Sequence, residues 1–209
     1  MTTRTVAFAR RFVVTLAALG ALVAARGAEP VTNAPAATIA TLQEGLVVAA
    51  ADRSKATVGQ RYRAIEPLIV ATHNLPYIAE FALRRQWPSL SETDQQRFVA
   101  AFQRLSVMTY AARFGNVARD SFRPIKAGMP DANGRVQVTT GIARASQPDV
   151  SFEYLLQEDE HGWRIVNIVA DGVSDLALKR AEYQRVFASG GIEGVIAELE
   201  QQTQRLERG

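Results

Sequence analysis

Between residues 120 and 170 the apolar positions recur every second residue, and on either side they recur every three to four. Val150, Phe152, Tyr154 and Leu156 alternate with more polar neighbours, and Val136, Val138, Thr140 and Ile142 line one face of the preceding run. The run 163–170 is apolar on both faces. A period of two marks strands with one face on a core, and a period near 3.6 marks amphipathic helices. The pattern predicts an antiparallel meander of about four strands (121–127, 135–144, 150–157 and 163–170) between two blocks of helix. Turn chemistry separates the strands at 129–134, 147–149 and 158–162, and Asp171-Gly172 ends the sheet. Gly141 interrupts the second strand and suggests a bulge or bend there.

Helical spacing first sets in at Thr38, with Ile39, Leu42 and Leu46 on one stripe, and stops before 52–54. A second helix carries Tyr62, Ile65, Leu68 and Ile69, with Pro67 expected to kink or restart it. Asn74 suits a cap for a third helix, with Pro76 in its first turn and Ile78, Phe81 and Ala82 on one side. Ser91 opens the clearest helix, 91–114, whose stripe of Phe98, Phe102, Leu105, Met108 and Ala112 is widened by Val99, Tyr110 and Phe114. A helix this broadly apolar has to be covered on more than one side or has to line a cavity. After the sheet, helices are expected over 173–189 and from Ile192 to the end, broken at Gly190-Gly191. Helices, then sheet, then helices define an α+β fold.

The first 25 residues are set apart by composition. Arg4, Arg10 and Arg11 precede an uncharged apolar run, 12–25, too short for a comfortable membrane span and suited to a cleaved signal peptide. Residues 26–37, rich in Pro and Ala, read as a flexible spacer, which leaves 38–209 as a single domain. No Cys follows the apolar run, so a lipoprotein anchor is excluded. Removing the leader lowers the 24 basic residues to 21, level with the 21 acidic ones. A nucleic-acid partner therefore gains no support from the basic balance. The chain has no Cys at all, so an exported domain of this kind rests on its core rather than on disulfides.

Chemistry is sparse. Of the two His, His161 lies in an acidic hairpin turn, and His73 precedes a helix cap with no acid or nucleophile set near it by spacing. Neither has a metal-ligand partner, and there is no phosphate-cradling Gly loop and no nucleophile elbow. No catalytic residue, metal or cofactor is expected.

What the sequence does offer is order and spacing. Leu75-Pro76, Trp87-Pro-Ser-Leu-Ser, Gln96-Arg97-Phe98, Phe102 and Thr109-Tyr110-Ala111 are followed by Gly162-Trp163-Arg164-Ile165-Val166, Gly172-Val173-Ser174 and a closing stretch from Phe187 to Leu199. This series resembles the MlaC family of periplasmic lipid-binding proteins, also called toluene-tolerance auxiliary proteins, over nearly all of the chain beyond the leader. His73-Asn74 stands where most members have a Phe-Asp pair, and Asn74-Leu75-Pro76 with the following WPSLS resembles the hopanoid-associated HpnM branch. The resemblance implies an NTF2-like fold, a curved sheet wrapped by helices around an apolar cavity. It also implies a periplasmic carrier of phospholipid or hopanoid, working between an inner-membrane ABC-type transport complex and an outer-membrane complex. A dry tunnel suffices for that task, because burial gains about 0.8 kcal/mol per CH₂. Headgroups are expected to stay at the mouth, without close reading.

Face periodicity selects Phe81, Phe98, Phe102, Leu105 and Tyr110 from the helices, and Val138, Ile142, Phe152, Tyr154 and Ile165 from the sheet, as ligand-facing residues. Two other readings stay open from sequence: a lipid- or polyprenoid-modifying enzyme with His73 as base, and a docking subunit without its own ligand.

Overall fold

The structure, a computed structural model, describes residues 34–51, 56–144 and 146–208. The expected leader and most of the expected spacer lie outside the described residues. Helix α1, Pro35–Ala51, starts inside the stretch read as spacer. Pro35 in its first turn is pre-set for helical φ, and two alanines follow it. Its buried stripe is Ile39, Leu42, Leu46 and Ala50. Two side chains tie it to the sheet: Thr38 Oγ1 donates to Trp163 O at 2.8 Å, and Gln43 Nε2 donates to Thr140 Oγ1 at 3.1 Å.

Helix α2, Val58–Thr72, opens on a capping box between Thr57 and Gln60. It runs unbroken through Pro67, where a kink or restart was expected. Ile65 and Ile69 are buried on either side of that proline, and their packing outweighs the one backbone bond it removes. Helix α3, Leu75–Ala82, is capped by Asn74, whose Oδ1 accepts from Tyr77 N at 3.2 Å. Asn74 also clips the α2–α3 corner onto the sheet. Its N–H donates to Ile165 O at 2.9 Å, and its Nδ2 donates to Asp159 Oδ2 at 3.0 Å.

Helix α4, Glu92–Arg113, is capped by Ser91 at the start and closes at Phe114, as its pattern predicts. It buries Phe98, Ala101, Phe102, Leu105, Val107, Met108 and Ala111. So wide a buried arc needs cover from several elements, and α2, α3 and α5 all pack on it.

The sheet is a five-stranded antiparallel meander in sequence order: β1 Lys126–Pro130, β2 Val136–Arg144, β3 Gln147–Asp159, β4 Gly162–Ala170 and β5 Val173–Ser174. The first strand lies later than expected, because 119–121 forms a 3₁₀ turn. The two apolar alternations pair across strands: Val136 with Leu156, Val138 with Tyr154, Thr140 with Phe152 and Ile142 with Val150. Gly141 pairs regularly with Ser151, and the register breaks one residue later, between Ile142 and Arg144, and again between Leu155 and Leu156. Such breaks bend a strand, which lets the sheet curve over the helices. The fifth strand replaces the expected helix start. Asp171 at φ 49° and Gly172 at φ 80° form a two-residue hairpin turn of the kind Asp-Gly favours, so Val173 and Ser174 pair back on β4.

Helix α5, Asp175–Arg208, is two helices joined across a kink at Gly191 (φ 59°, ψ −159°), as the glycine pair predicts. Its buried residues, among them Leu176, Tyr183, Val195 and Leu199, lock onto α4. The Tyr183 ring meets Phe98 edge-on at 5.8 Å.

Candidate functional site

The C-terminal half of α4 and the start of α5 do not pack fully against β3 and β4. A cavity of about 290 Å³ remains between them. On the helix side its walls are Leu75 and Ile78 of α3, Phe102 and Leu105 of α4, and Leu176 of α5. The sheet side contributes Val150, Phe152 and Tyr154 from β3, and Ile168 and Ala170 from β4. The aromatic pairs are ordered: Phe152 stacks on Tyr154 at 5.9 Å and Tyr110 on Phe114 at 5.2 Å.

Polar groups in this wall are few. Ser106 and Thr109 donate their hydroxyls to the carbonyls of Phe102 and Leu105, one turn back on α4. His73 is 3% exposed and held on both nitrogens. Its Nδ1 lies 3.1 Å from Ile69 O and its Nε2 3.0 Å from the Tyr110 hydroxyl. Those partners fit a neutral ring that donates from Nδ1 to the carbonyl and accepts at Nε2 from the phenol. Burial pushes the His73 pKa down to about 4, against weaker opposing effects of the Ile69 carbonyl and Asp175, so the ring is uncharged at neutral pH. Burial likewise pushes the Tyr110 phenol well up. Arg113, Asp175, Lys179 and Asn167 complete the lining, with Lys179 Nζ bonded to Asp175 Oδ1 at 2.6 Å. A wider depression of about 590 Å³ between α2 and α4 is more open to solvent and mixes Tyr62, Trp87 and Val99 with Glu66, Gln96 and Arg104.

Of the ten residues selected by periodicity, Phe102, Leu105, Tyr110, Phe152 and Tyr154 line the cavity. The other five lie elsewhere. Phe98 is fully buried among Trp87, Phe102 and Tyr183 and belongs to the solid core. Val138 and Ile165 are fully buried beneath the helices. Ile142 lies past the curve of the sheet, beside Phe114, Gly115 and Val117. Phe81 is half-buried at the edge of the core, away from the cavity, with the guanidinium carbons of Arg84 and Arg180 each 5.2 Å from its ring centre.

Several lining residues were missed by that selection. Leu75 and Ile78 come in because the α2–α3 corner is clipped to β4. Asp175 and Lys179 carried a readable signal, an i,i+4 ion pair at the start of a helix. Asn167 and Arg113 carried none, since a polar residue at a strand or helix end reads as surface. Among the described residues no group of three or more acidic or His side chains is placed to hold a metal, and no helix is long and apolar enough to cross a membrane.

A bent meander closed by helices over a largely apolar cavity makes this an α+β cavity protein. The chain belongs to the MlaC family, whose sequence profile ("MlaC protein") matches residues 40–201. The fold is shared with a phospholipid-binding protein from Ralstonia solanacearum whose structure was solved in complex with a phospholipid. The TM-score is 0.70 at 18% identity, over 82% of this chain and 98% of that one. A comparison with curated proteins gives no match.

Proposed function

We propose that the protein is a periplasmic lipid carrier whose ligand is a phospholipid, held by its acyl chain in the cavity between α4 and the β3–β4 face. The observation that carries this is the cavity wall: aliphatic and aromatic on five elements, with the Ser106 and Thr109 hydroxyls spent on helix carbonyls. Such a surface gives hydrocarbon a dry site. Family membership and the phospholipid complex of the Ralstonia relative support the same reading. In this reading Phe102, Leu105, Tyr110, Phe152 and Tyr154 touch the chain. Each buried CH₂ is worth about 0.8 kcal/mol. At about 290 Å³ the cavity is near the lower end for small-molecule sites, so it holds part of one acyl chain, and a larger share requires α4 and α5 to move off the sheet.

Export by a cleaved signal peptide and exchange with an inner-membrane ABC-type complex and an outer-membrane complex belong to this proposal, as does the assignment of 38–209 to one lipid-binding domain. An enzymatic role for His73 finds less support: both ring nitrogens are engaged, and a base with a pKa near 4 is a weak proton acceptor at neutral pH. The hopanoid alternative drew on the Asn74-Leu75-Pro76 step. Local structure accounts for that step by itself, since Asn74 caps α3 and anchors it to Asp159.

Lipid extraction from the purified protein, followed by mass analysis covering phospholipids and hopanoids, tests the proposal. Co-purifying phospholipid is expected. A hopanoid in its place would change the ligand, and lipid-free protein that takes up nothing from vesicles would overturn the carrier reading.

A further inference from the structure

The headgroup was expected to go unread at the mouth, but the free hydrogen-bonding groups in the cavity wall favour one chemistry. Arg113, the last residue of α4, has no ion-pair or hydrogen-bond partner among the described residues. Lys179 gives one proton to Asp175 and keeps two donor positions. Asn167 has its carbonyl oxygen taken by the Ser174 hydroxyl at 3.1 Å, which leaves its amide NH₂ as the free half. The Ser174 oxygen in turn accepts from Ala177 N, so its own proton is committed to Asn167. The groups left over on three separate elements (α4, β4 and α5) are thus a guanidinium, an ammonium and an amide NH₂, all donors. The single carboxylate of the lining, Asp175, is already bonded to Lys179, and with Arg113 the lining carries one net positive charge.

A further donor lines the same cavity. Tyr154 is 5% exposed, lines the cavity, and its hydroxyl makes no hydrogen bond among the described residues. Covered by an acyl chain, a hydroxyl without an acceptor would be costly, and an acceptor on the ligand would satisfy it.

We propose that Arg113, Lys179 and Asn167 form a phosphate-reading rim, and that Tyr154 donates to an acyl ester carbonyl below it. The site then selects ester-linked lipids with an anionic phosphodiester over neutral polycyclic ones. This rests on the carrier reading above and narrows it. A phosphodiester brings one negative charge and only acceptor oxygens, matching the net charge and the donor character of the rim. A hopanoid or a diacylglycerol leaves the Arg113 guanidinium without an acceptor. Arg113 is exposed and binds nothing in the fold, so changing it leaves the core intact.

The test offers the full chain, freed of lipid, mixed micelles containing phosphatidylglycerol, diacylglycerol and a neutral hopanoid in equal proportion, and reads bound species by native mass spectrometry. Wild type is expected to take phosphatidylglycerol in preference to the other two. Arg113→Ala should lower the phosphatidylglycerol-to-diacylglycerol ratio about tenfold, the scale of one charge-assisted hydrogen bond, and Arg113→Lys should restore part of it. Tyr154→Phe should lower both ester lipids relative to the hopanoid. Equal uptake of phosphatidylglycerol and diacylglycerol by wild type, with Arg113→Ala unchanged, would overturn the rim while leaving the carrier reading in place. Uptake of none of the three by wild type would overturn both.

Discussion

His73 illustrates how far the surroundings of one side chain can move its chemistry. In the sequence it is a histidine before a helix cap and a candidate base. In the fold it is a neutral strut between α2, through the Ile69 carbonyl, and α4, through the Tyr110 phenol. Its depressed pKa makes a testable link to stability. Unfolded, the imidazole takes a proton near 6.5, and folded, near 4. The unfolded chain therefore binds more protons between those values. The contribution of His73 is fully present above about pH 6.5 and is lost as pH falls toward 4, by up to about 3 kcal/mol. Urea unfolding of wild type and His73→Gln at about pH 7 and about pH 5 isolates it from the carboxylates. The variant is expected to be less stable at the higher pH and to show a smaller loss on acidification. A parallel pH dependence in the two proteins would rule out His73 as the source.

Among the elements, α5 is the one whose shape depends on a single residue. Gly191 holds φ 59° and ψ −159°, a region essentially closed to side chains, while a Cβ there would meet nothing within 4 Å. The strain of a substitution is thus purely in the backbone, and Gly191→Ala should cost roughly 1–3 kcal/mol. Its neighbour provides the control. Gly190 has equally open space and no positive φ, so Gly190→Ala is expected to be neutral or to stabilise by about 0.5–1 kcal/mol, as in any helix interior. Equal effects at the two positions, measured by thermal unfolding, would contradict the bend as described. The bend separates a first half that carries Leu176 at the cavity wall and Tyr183 against Phe98 from a second half that buries Val195, Ile196 and Leu199. The Gly-Gly pair and the helix on either side of it were readable in the chain, because a glycine pair between two apolar stripes of helical spacing marks a break.

For the molecule as a whole, a ligand that binds only the folded state raises stability with its concentration. Lipid-loaded protein should melt higher than protein stripped of lipid, by about 2–4 °C for each kcal/mol of binding free energy expressed. Thr109 lines the cavity and makes only a local bond to Leu105 O, so Thr109→Trp fills the space an acyl chain would use. That variant is expected to keep the melting temperature of the stripped wild type and to lose the increment on adding lipid. A full increment in Thr109→Trp would place the ligand outside this cavity.

The alternation over β2 and β3, the caps at Asn74 and Ser91 and the broad stripe of α4 are local in origin: each follows from the preferences of neighbouring residues, and each was legible in the chain. The α+β class was legible for the same reason. What periodicity reports is that a side chain points inward, and it is silent on whether protein or empty space lies opposite. Phe98 and Phe102 sit one turn apart on the same face of α4, yet Phe98 meets Trp87 and Tyr183 in solid packing while Phe102 borders the cavity. Likewise Val138 and Tyr154 are direct cross-strand partners, but only Tyr154 reaches the open space. The difference arises from where the sheet bends, at Ile142–Arg144 and Leu155–Leu156, and from where α5 begins after the Asp171-Gly172 turn. Those are contacts between segments far apart in sequence, and they set the void between helices and sheet that no single segment encodes.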